Sequence, residues 1–316
     1  MRRPAADPLA GAADLATPGA WLAFATALLE KAGVALGQVA TDAHDEALYL
    51  ILRTLGLPLE SGPAVLRRSL KPEERARLEA VFRRRAVDRV PAAYLTREAW
   101  LGPHRFLVDE RVIIPRSYFV ELIPEAIPQW LPPIAQITDV ADVCTGSGCL
   151  AILLAKRFPK AHVHATDLSA PALEVAALNI DAHKLAKRVS LHETDTMTAL
   201  TKGPKFDLIL SNPPYEPEGI YRRLPAEFKK EPKGSLVSGK DGLDVIRKLL
   251  TQARAALKPH GILVIEVGGL QQAMHQAWPK LPIMWLPTAD GSDCVCLIHA
   301  SDLRRALPSP GARRGR

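Results

Sequence analysis

The chain has 316 residues, 47% of them hydrophobic and 24% charged, enough to bury the core of one large domain and of a smaller one. No run approaches the roughly 18 apolar residues of a membrane helix, and no charged stretch leads into a long apolar one at the N-terminus, which argues against a secretory signal and for the cytoplasm. Lys and Arg outnumber Asp and Glu by 41 to 34, a net charge of +7. The excess includes Arg83-Arg84-Arg85 with Arg75, Arg77 and Arg89, and Arg313, Arg314 and Arg316 in the tail. Such clusters suit either a nucleic-acid or ribonucleoprotein partner or a solvated helix face.

In chain order, residues 1–18 are rich in Ala, Pro and Asp without periodicity and read as a frayed start. Apolar periodicity then predicts helices from Trp21 to about Ala35 and from Ala43 to about Leu55, the second closed by Gly56 and Pro58. A third begins at Lys71 with Pro72 in its first position and Glu73 and Glu74 in its first turn, and Val90-Pro91 stops it. Residues 1–91 are thus expected to form a helical, substrate-recognising domain with no chemistry of its own. Trp100–Leu107 and Val112–Ile114 read as short strands with turn material at Gly102-Pro103 and Asp109-Glu110, making 92–117 a hairpin-bearing connector. A helix from about Phe119 to Ile127 leads into the remaining domain, 118–316.

From Ile137 the pattern alternates strand and helix, as a parallel α/β sheet requires. Strands are predicted at Thr138–Cys144, His162–Thr166, Val189–His192, Phe206–Ser211 and Ile262–Val267. Helices are predicted at Cys149–Phe158, Pro171–His183 and Leu243–Leu257. Met284–Leu286, Ala289–Asp293 and Cys294–His299 read as a closing hairpin around Asp290-Gly291. A mostly parallel sheet of seven strands ending in a hairpin is the α/β, Rossmann-like layout of class I methyltransferases. Cys144, Cys149, Cys294 and Cys296 have no zinc-ligand spacing and read as small apolar thiols rather than disulfides or metal ligands.

Asp142-Val143-Cys144-Thr145-Gly146-Ser147-Gly148-Cys149 follows the first strand of this domain and opens a helix. Its glycines allow a sharp turn and close ligand approach, and the helix start presents unpaired N–H groups. Asp167 ends the next strand, where a carboxylate can accept from both ribose hydroxyls. Gly146-x-Gly148-x-x-Ala151 also fits a loose dinucleotide fingerprint, so a nicotinamide oxidoreductase is a rival. Asp142 weighs against it, because a carboxylate at the loop suits a cationic amino-acid moiety better than a pyrophosphate. Asp195, after the third strand, is a candidate acceptor for an adenine amino group or a plain turn residue.

Asn212-Pro213-Pro214-Tyr215 follows the apolar strand Phe206–Ser211 and has no role in hydride transfer. An amide or adenine amino nitrogen is a poor nucleophile because its lone pair is delocalised. A site that methylates it must hold both N–H hydrogens with acceptors and aim the lone pair at the methyl group. The Asn212 side-chain oxygen and the Pro213 carbonyl supply two acceptors, the prolines stiffen the turn without adding donors, and Tyr215 offers a flat face. Catalysis is then positioning with electrostatic support, without a metal. The turn does not distinguish protein glutamine from nucleic-acid adenine. An adenine enzyme calls for an aromatic, basic groove, and only 5% of residues are aromatic. A non-catalytic ribosome or RNA binder on the same fold is opposed by the intact turn and glycine loop.

At these residues the chain resembles the HemK/Prm family of protein glutamine methyltransferases. The likeness extends to Pro91-Ala92-Ala93-Tyr94-Leu95-Thr96, to Phe106-x-Val108-Asp109-Glu110-Arg111-Val112-Ile113-Ile114-Pro115-Arg116-Ser117 and to Glu121-Leu122-Ile123. It continues in Leu224-Pro225-x-Glu227-Phe228, Glu231-Pro232 and Gly239-x-Asp241-Gly242-Leu243. The resemblance runs from about Asp88 to His299 and is to the branch acting on a large-subunit ribosomal protein. It implies S-adenosylmethionine held by Asp142, Thr145, Gly146, Ser147, Gly148, Asp167, Leu168, Asp195 and Asn212. It implies a substrate glutamine held by Asn212, Pro213, Pro214 and Tyr215, with Arg116 in the segment covering the site and the stretch to Ser238 as a substrate-facing lid. The partner is then a ribosomal protein, free or in an assembling particle, with direct nucleic-acid binding secondary. Tyr118-Phe119, Glu216 and Thr196-Met197 depart from the family pattern.

Overall fold

The computed structural model describes residues 7–308. The first six positions of the expected frayed start, and Arg313, Arg314 and Arg316, lie outside them. Residues 7–17 are not frayed: Ala12–Asp14 form a turn of 3₁₀ helix, and Leu9 and Ala12 are buried. The chain divides into two compact units. One comprises the chain up to Ala99 together with Val108–Glu110 and Pro225–Glu231, and the other the remainder.

In the first unit, α1 (Pro18–Ala32) starts where the Thr17 side chain accepts from Ala20 N and ends at Gly33 in the left-handed region. Asp42 caps α2 (Ala43–Thr54) through Asp45 N, and Pro72 opens α3 (Pro72–Ala86). Such caps satisfy backbone donors that a helix start leaves unpaired. Trp21 stacks on Phe82 at 5.8 Å between centroids, within a core that includes Leu29, Leu50, Ile51 and Leu78. The basic cluster on and just after α3 is divided between internal pairing and solvent. Arg85 is 0% exposed and donates to Glu46 (2.6 Å), Glu227 (3.2 Å) and Ala35 O (2.7 Å). Arg83 pairs with Asp7 and Glu79, Arg75 donates to Ala13 O, and Arg89 reaches Gly33 O and Glu227. Only Arg77 and Arg84 of that group are exposed.

The expected connector is more ordered than its sequence suggests. Ala92–Thr96 is a helix, α4, and β1 (Glu98–Leu101) and β2 (His104–Leu107) make a two-stranded sheet turning at Gly102-Pro103. Val112–Ile114 is not a strand. Val112 and Ile114 are buried, but the segment belongs to neither sheet. The helix expected from Phe119 to Ile127 is interrupted: α5 covers only Phe119–Leu122, and a 3₁₀ turn follows at Ile127–Trp130. Pro124 and Pro128 account for the break, since proline lacks the donor and crowds the preceding turn.

The second unit carries a sheet of β3 (Asp139–Val143), β4 (His162–Asp167), β5 (Val189–Glu193), β6 (Phe206–Ser211), β7 (Leu257–Glu266), β8 (Met284–Leu286) and β9 (Val295–His299). Their order is β5-β4-β3-β6-β7-β9-β8, parallel except where β9 runs against β7 and β8. This is the class I methyltransferase arrangement. Between the strands lie α6 (Cys149–Arg157), α7 (Ala170–Ala182), α8 (Glu218–Tyr221) and α9 (Asp244–Ala256). Three short helices escaped the periodicity reading, the four-residue α8 and the seven-residue α10 (Gln271–Ala277) and α11 (Ala300–Ala306). Seven residues make about two turns, too few for a periodic pattern to stand out. All six residues of β6 are buried, as befits a strand covered on both faces. The four cysteines are free thiols, and all but the half-buried Cys144 are buried. No helix among the described residues is long and apolar enough to cross a membrane.

Candidate active site

Parallel register brings the chemistry to one edge of this sheet. Val143 pairs with Thr166 and Ser211, Ser211 with Ile265, and Asp167 with Glu193. The loop after β3, Asp167 at the end of β4, Asn212 after β6 and Glu266 at the end of β7 therefore leave neighbouring strand ends together. From β3 the chain proceeds outward through β4 and β5, then returns to place β6 on the other side. That reversal between β3 and β6 is the switch point where open α/β sheets bind ligands.

The glycine loop is held from below and behind. Thr145 Oγ1 donates to Asp142 Oδ2 at 2.5 Å, and Gly146 N donates to Asp167 Oδ2 at 2.9 Å. Gly148 has φ +79°, and a Cβ there would meet Ala176 Cβ at 3.1 Å, so α6 can start this close to α7 only with glycine. Asn179 of α7, buried, donates Nδ2 to Ser147 O (2.9 Å) and Leu107 O (3.0 Å) and accepts Leu107 N (2.7 Å). Nothing local in the sequence marks Asn179 as the brace of this loop.

Asp142 is 0% exposed, and its Oδ1 has no hydrogen-bond partner. Burial pushes its carboxyl up to about 7. Its hydrogen bond from Thr145 makes it a support of the loop. Asp167 also accepts Ser169 N at 2.9 Å, which orients it at the strand end, and burial raises its pKa. Beside it Leu168 is 70% exposed, an apolar side chain standing uncovered next to a carboxylate. That pair, with the glycine cradle, fits a nucleoside: the carboxylate for ribose hydroxyls and the leucine for a flat ring. Asp195 is engaged elsewhere, its Oδ2 accepting from Lys248 Nζ at 2.7 Å. Its neighbours Thr196 and Met197 are buried and both bond Gln252 Oε1.

At the other side of the switch point, Pro213 is buried while Asn212, Pro214 and Tyr215 are half-buried. Ser211 Oγ donates to Val143 O at 2.7 Å, tying the root of the turn to β3. Gly268, after β7, has φ +52°, and a Cβ there would come within 2.6 Å of the Tyr215 ring. The ring thus lies against bare backbone, and burial pushes its phenol pKa up. Beside it opens a cavity of about 480 Å³ lined by Arg116, Tyr118, Glu121, Tyr215, Glu266 and Asp290 among others. Arg116 donates to Ile114 O at 3.3 Å and acts electrostatically on Tyr215, Glu216 and Glu266. Tyr118 OH donates to Asp290 Oδ2 at 2.7 Å, so that departure from the family pattern shapes a cavity wall. Glu216 backbone bonds Leu236 and Ser238, and burial raises its carboxyl.

Glu266, Ser117, Gly268 and Asn179 are the site residues that sequence reading missed. For Glu266 a signal existed: an acid ending the apolar run Ile262–Ile265 at the C-terminal end of a parallel strand, where ligands bind.

Comparison with known proteins bears on this arrangement. The family model described as "Methyltransferase small domain" matches residues 126–231. The chain is 44% identical over 285 residues to the ribosomal protein uL3 glutamine methyltransferase of Burkholderia pseudomallei, spanning 88% of this chain and 93% of that one. It is 42% identical over 292 residues to the protein of the same description from Neisseria gonorrhoeae, at 92% and 97% coverage. It is 42% identical over 280 residues to that from Bordetella pertussis, at 89% and 94%.

Proposed function

The chain belongs to the family of ribosomal protein uL3 glutamine methyltransferases, and from that premise we propose that it methylates the side-chain amide nitrogen of a glutamine in uL3, with S-adenosylmethionine as methyl donor. The observation that carries the reading is the intact Asn212-Pro213-Pro214-Tyr215 turn at the switch point, one strand away from the glycine loop.

Bound S-adenosylmethionine supplies an electrophilic methyl group on a sulfonium. The Thr145–Gly148 loop, Asp167 and Leu168 are the residues that hold it, with Asp142 and Asn179 fixing the loop from outside the ligand. Asp195, already paired with Lys248, contributes to the adenine side only if that exposed pair opens. On the substrate side the Asn212 oxygen and the Pro213 carbonyl accept the two N–H groups of the glutamine amide. This fixes the amide plane and leaves its lone pair facing the donor. Tyr215, braced on Gly268, covers the planar group, Pro214 stiffens the turn, and Arg116 closes the cavity mouth. Held this way, the weak nucleophile gains chiefly from orientation. The helical unit up to residue 91 is assigned to recognition of the protein substrate. Direct nucleic-acid contact is secondary, because Arg85 is spent on buried carboxylates and Arg83 and Arg89 are also paired within the chain.

Radiolabelled methyl transfer from S-adenosylmethionine to purified uL3, compared with ribosomal RNA and DNA, tests the reading. Label is expected in uL3, and label confined to nucleic acid refutes it. Asn212→Ala is expected to lower kcat on uL3 by about 100-fold, in the range of losing one preorganised polar contact at a reacting group. Calorimetric binding of S-adenosylmethionine should fall much less.

A further inference from the structure

Glu266 is 4% exposed at the end of β7, where an ionised carboxylate is costly unless its lone pairs are used. They are used. Ser117 Oγ donates to Oε2 at 2.5 Å, Tyr118 N donates to the same oxygen at 3.1 Å, and the register that pairs Ser211 with Ile265 sets Asn212 beside the carboxylate, whose charged form its side chain favours. The last contact matters chemically. An asparagine carboxamide fits the same space in two orientations that exchange its oxygen for its NH₂. A carboxylate has only acceptors, so it takes the Nδ2 end and turns Oδ1 away from itself.

We propose that Glu266 is the positioning residue that sets the orientation of the Asn212 carboxamide, presenting Oδ1 rather than Nδ2 to the methyl-accepting amide, with Ser117 fixing the carboxylate in turn. The identity of that amide rests on the glutamine reading above. In the opposite orientation Nδ2 meets the substrate N–H groups donor to donor, and the amide is not held.

The lock has a pH dependence. Burial pushes the Glu266 carboxyl up to about 7, against the hydrogen bonds from Ser117, Tyr118 and Asn212 and the charge of Arg116. Tyr215 of the turn and Cys294 before β9 interact with it, both raised by burial and neutral near pH 7, and Tyr118, Glu121 and Asp290 line the same cavity. Above about pH 7 Glu266 is ionised and accepts only. Below it, the protonated carboxyl carries a donor that can meet Oδ1, and the preference for one orientation weakens.

The chain has two asparagines, Asn179 and Asn212, so asparagine-selective ¹⁵N labelling isolates the side chain in question. Asn179, buried and bonded at both ends, is the internal reference. The Asn212 carboxamide signals are expected to titrate with an inflection near pH 7 while those of Asn179 stay fixed. Glu266→Gln should abolish that inflection and lower kcat on uL3 about tenfold, with KM and S-adenosylmethionine affinity changed by less than about threefold. Ser117→Ala removes a bond that favours the charged form and should move the inflection upward. PH-invariant Asn212 signals in the parent enzyme, a Glu266→Gln enzyme with parental kcat, or an unmoved inflection in Ser117→Ala each overturns the proposal. A parent enzyme that titrates as described but places no label in uL3 refutes the glutamine reading instead, which keeps the two failures apart.

Discussion

Asn179 illustrates how much one buried side chain can carry. Three hydrogen bonds connect α7 with the end of β2 and with the carbonyl of Ser147 in the glycine loop. Replacing it by alanine leaves buried backbone groups unpaired, at about 1–3 kcal/mol for each, and frees the loop that must present itself to a ligand. Asn179→Ala is expected to weaken S-adenosylmethionine binding about tenfold by calorimetry and to lower the melting temperature. Unchanged affinity would mean that the loop holds its shape without the brace. At this scale the continuous motifs Thr145–Gly148 and Asn212–Tyr215 were legible in advance, and the fold brings them to neighbouring strand ends. Glu266 and Asn179 were not, because each works through groups more than thirty positions away in the chain.

Among the elements, β4 and β5 share a ladder of histidines on one face of the sheet. His162 Nε2 and Ser190 Oγ lie 2.8 Å apart, and the rings of His164 and His192 stack at 5.4 Å. The edge of His164 meets Phe206. Burial holds the pKa of His164 down at about 4, with repulsion from His162 and His192 adding to it and Asp139 opposing. The sign follows from proton counting. Above pH 6.5 His164 is neutral whether the chain is folded or not. Between about 6.5 and 4 the unfolded chain takes up a proton that the folded one refuses, so stability falls as pH falls. The melting temperature should decline over that window, and His164→Gln should flatten the decline. An equally steep decline in that variant would place the acid sensitivity elsewhere. Element types and most strand boundaries were legible because parallel strands are apolar runs between amphipathic helices. The interrupted stretch after Phe119 and the absence of Val112–Ile114 from either sheet were not. Whether a short apolar run joins a ladder depends on what lies beside it.

For the molecule as a whole, the helical unit incorporates a segment from far along the chain. Glu227, 2% exposed, receives Arg85 (3.2 Å), Arg89 (3.3 Å) and Ala35 N (3.1 Å), and Gln38 reaches Glu231. Burial works against the charge of Glu227, yet these donors hold its carboxyl below the usual range. Burial dominates at Glu46 and raises it. Removing the shared cation should therefore be severe. Arg85→Met leaves Glu46 and Glu227 facing each other's charge in the core, at a cost of about 3–5 kcal/mol. Urea unfolding is expected to show the transition of the helical unit at markedly lower denaturant, and an unshifted transition would show that the carboxylates neutralise without loss.

The sequence by itself determined the class of fold, the strand ends at which the glycine loop and the Asn212 turn meet, and the reaction proposed for that turn. Each of these follows from local rules: hydrophobic period, turn chemistry, and the donors and acceptors of a contiguous motif. Tertiary structure alone decided that Asp142 is buried beneath its loop, that Arg85 belongs to a core rather than to a basic surface, and that Glu266 lies beside Asn212. Burial and pairing are properties of neighbours in space. A charge on a helix reads the same in sequence whether it faces water or two buried carboxylates.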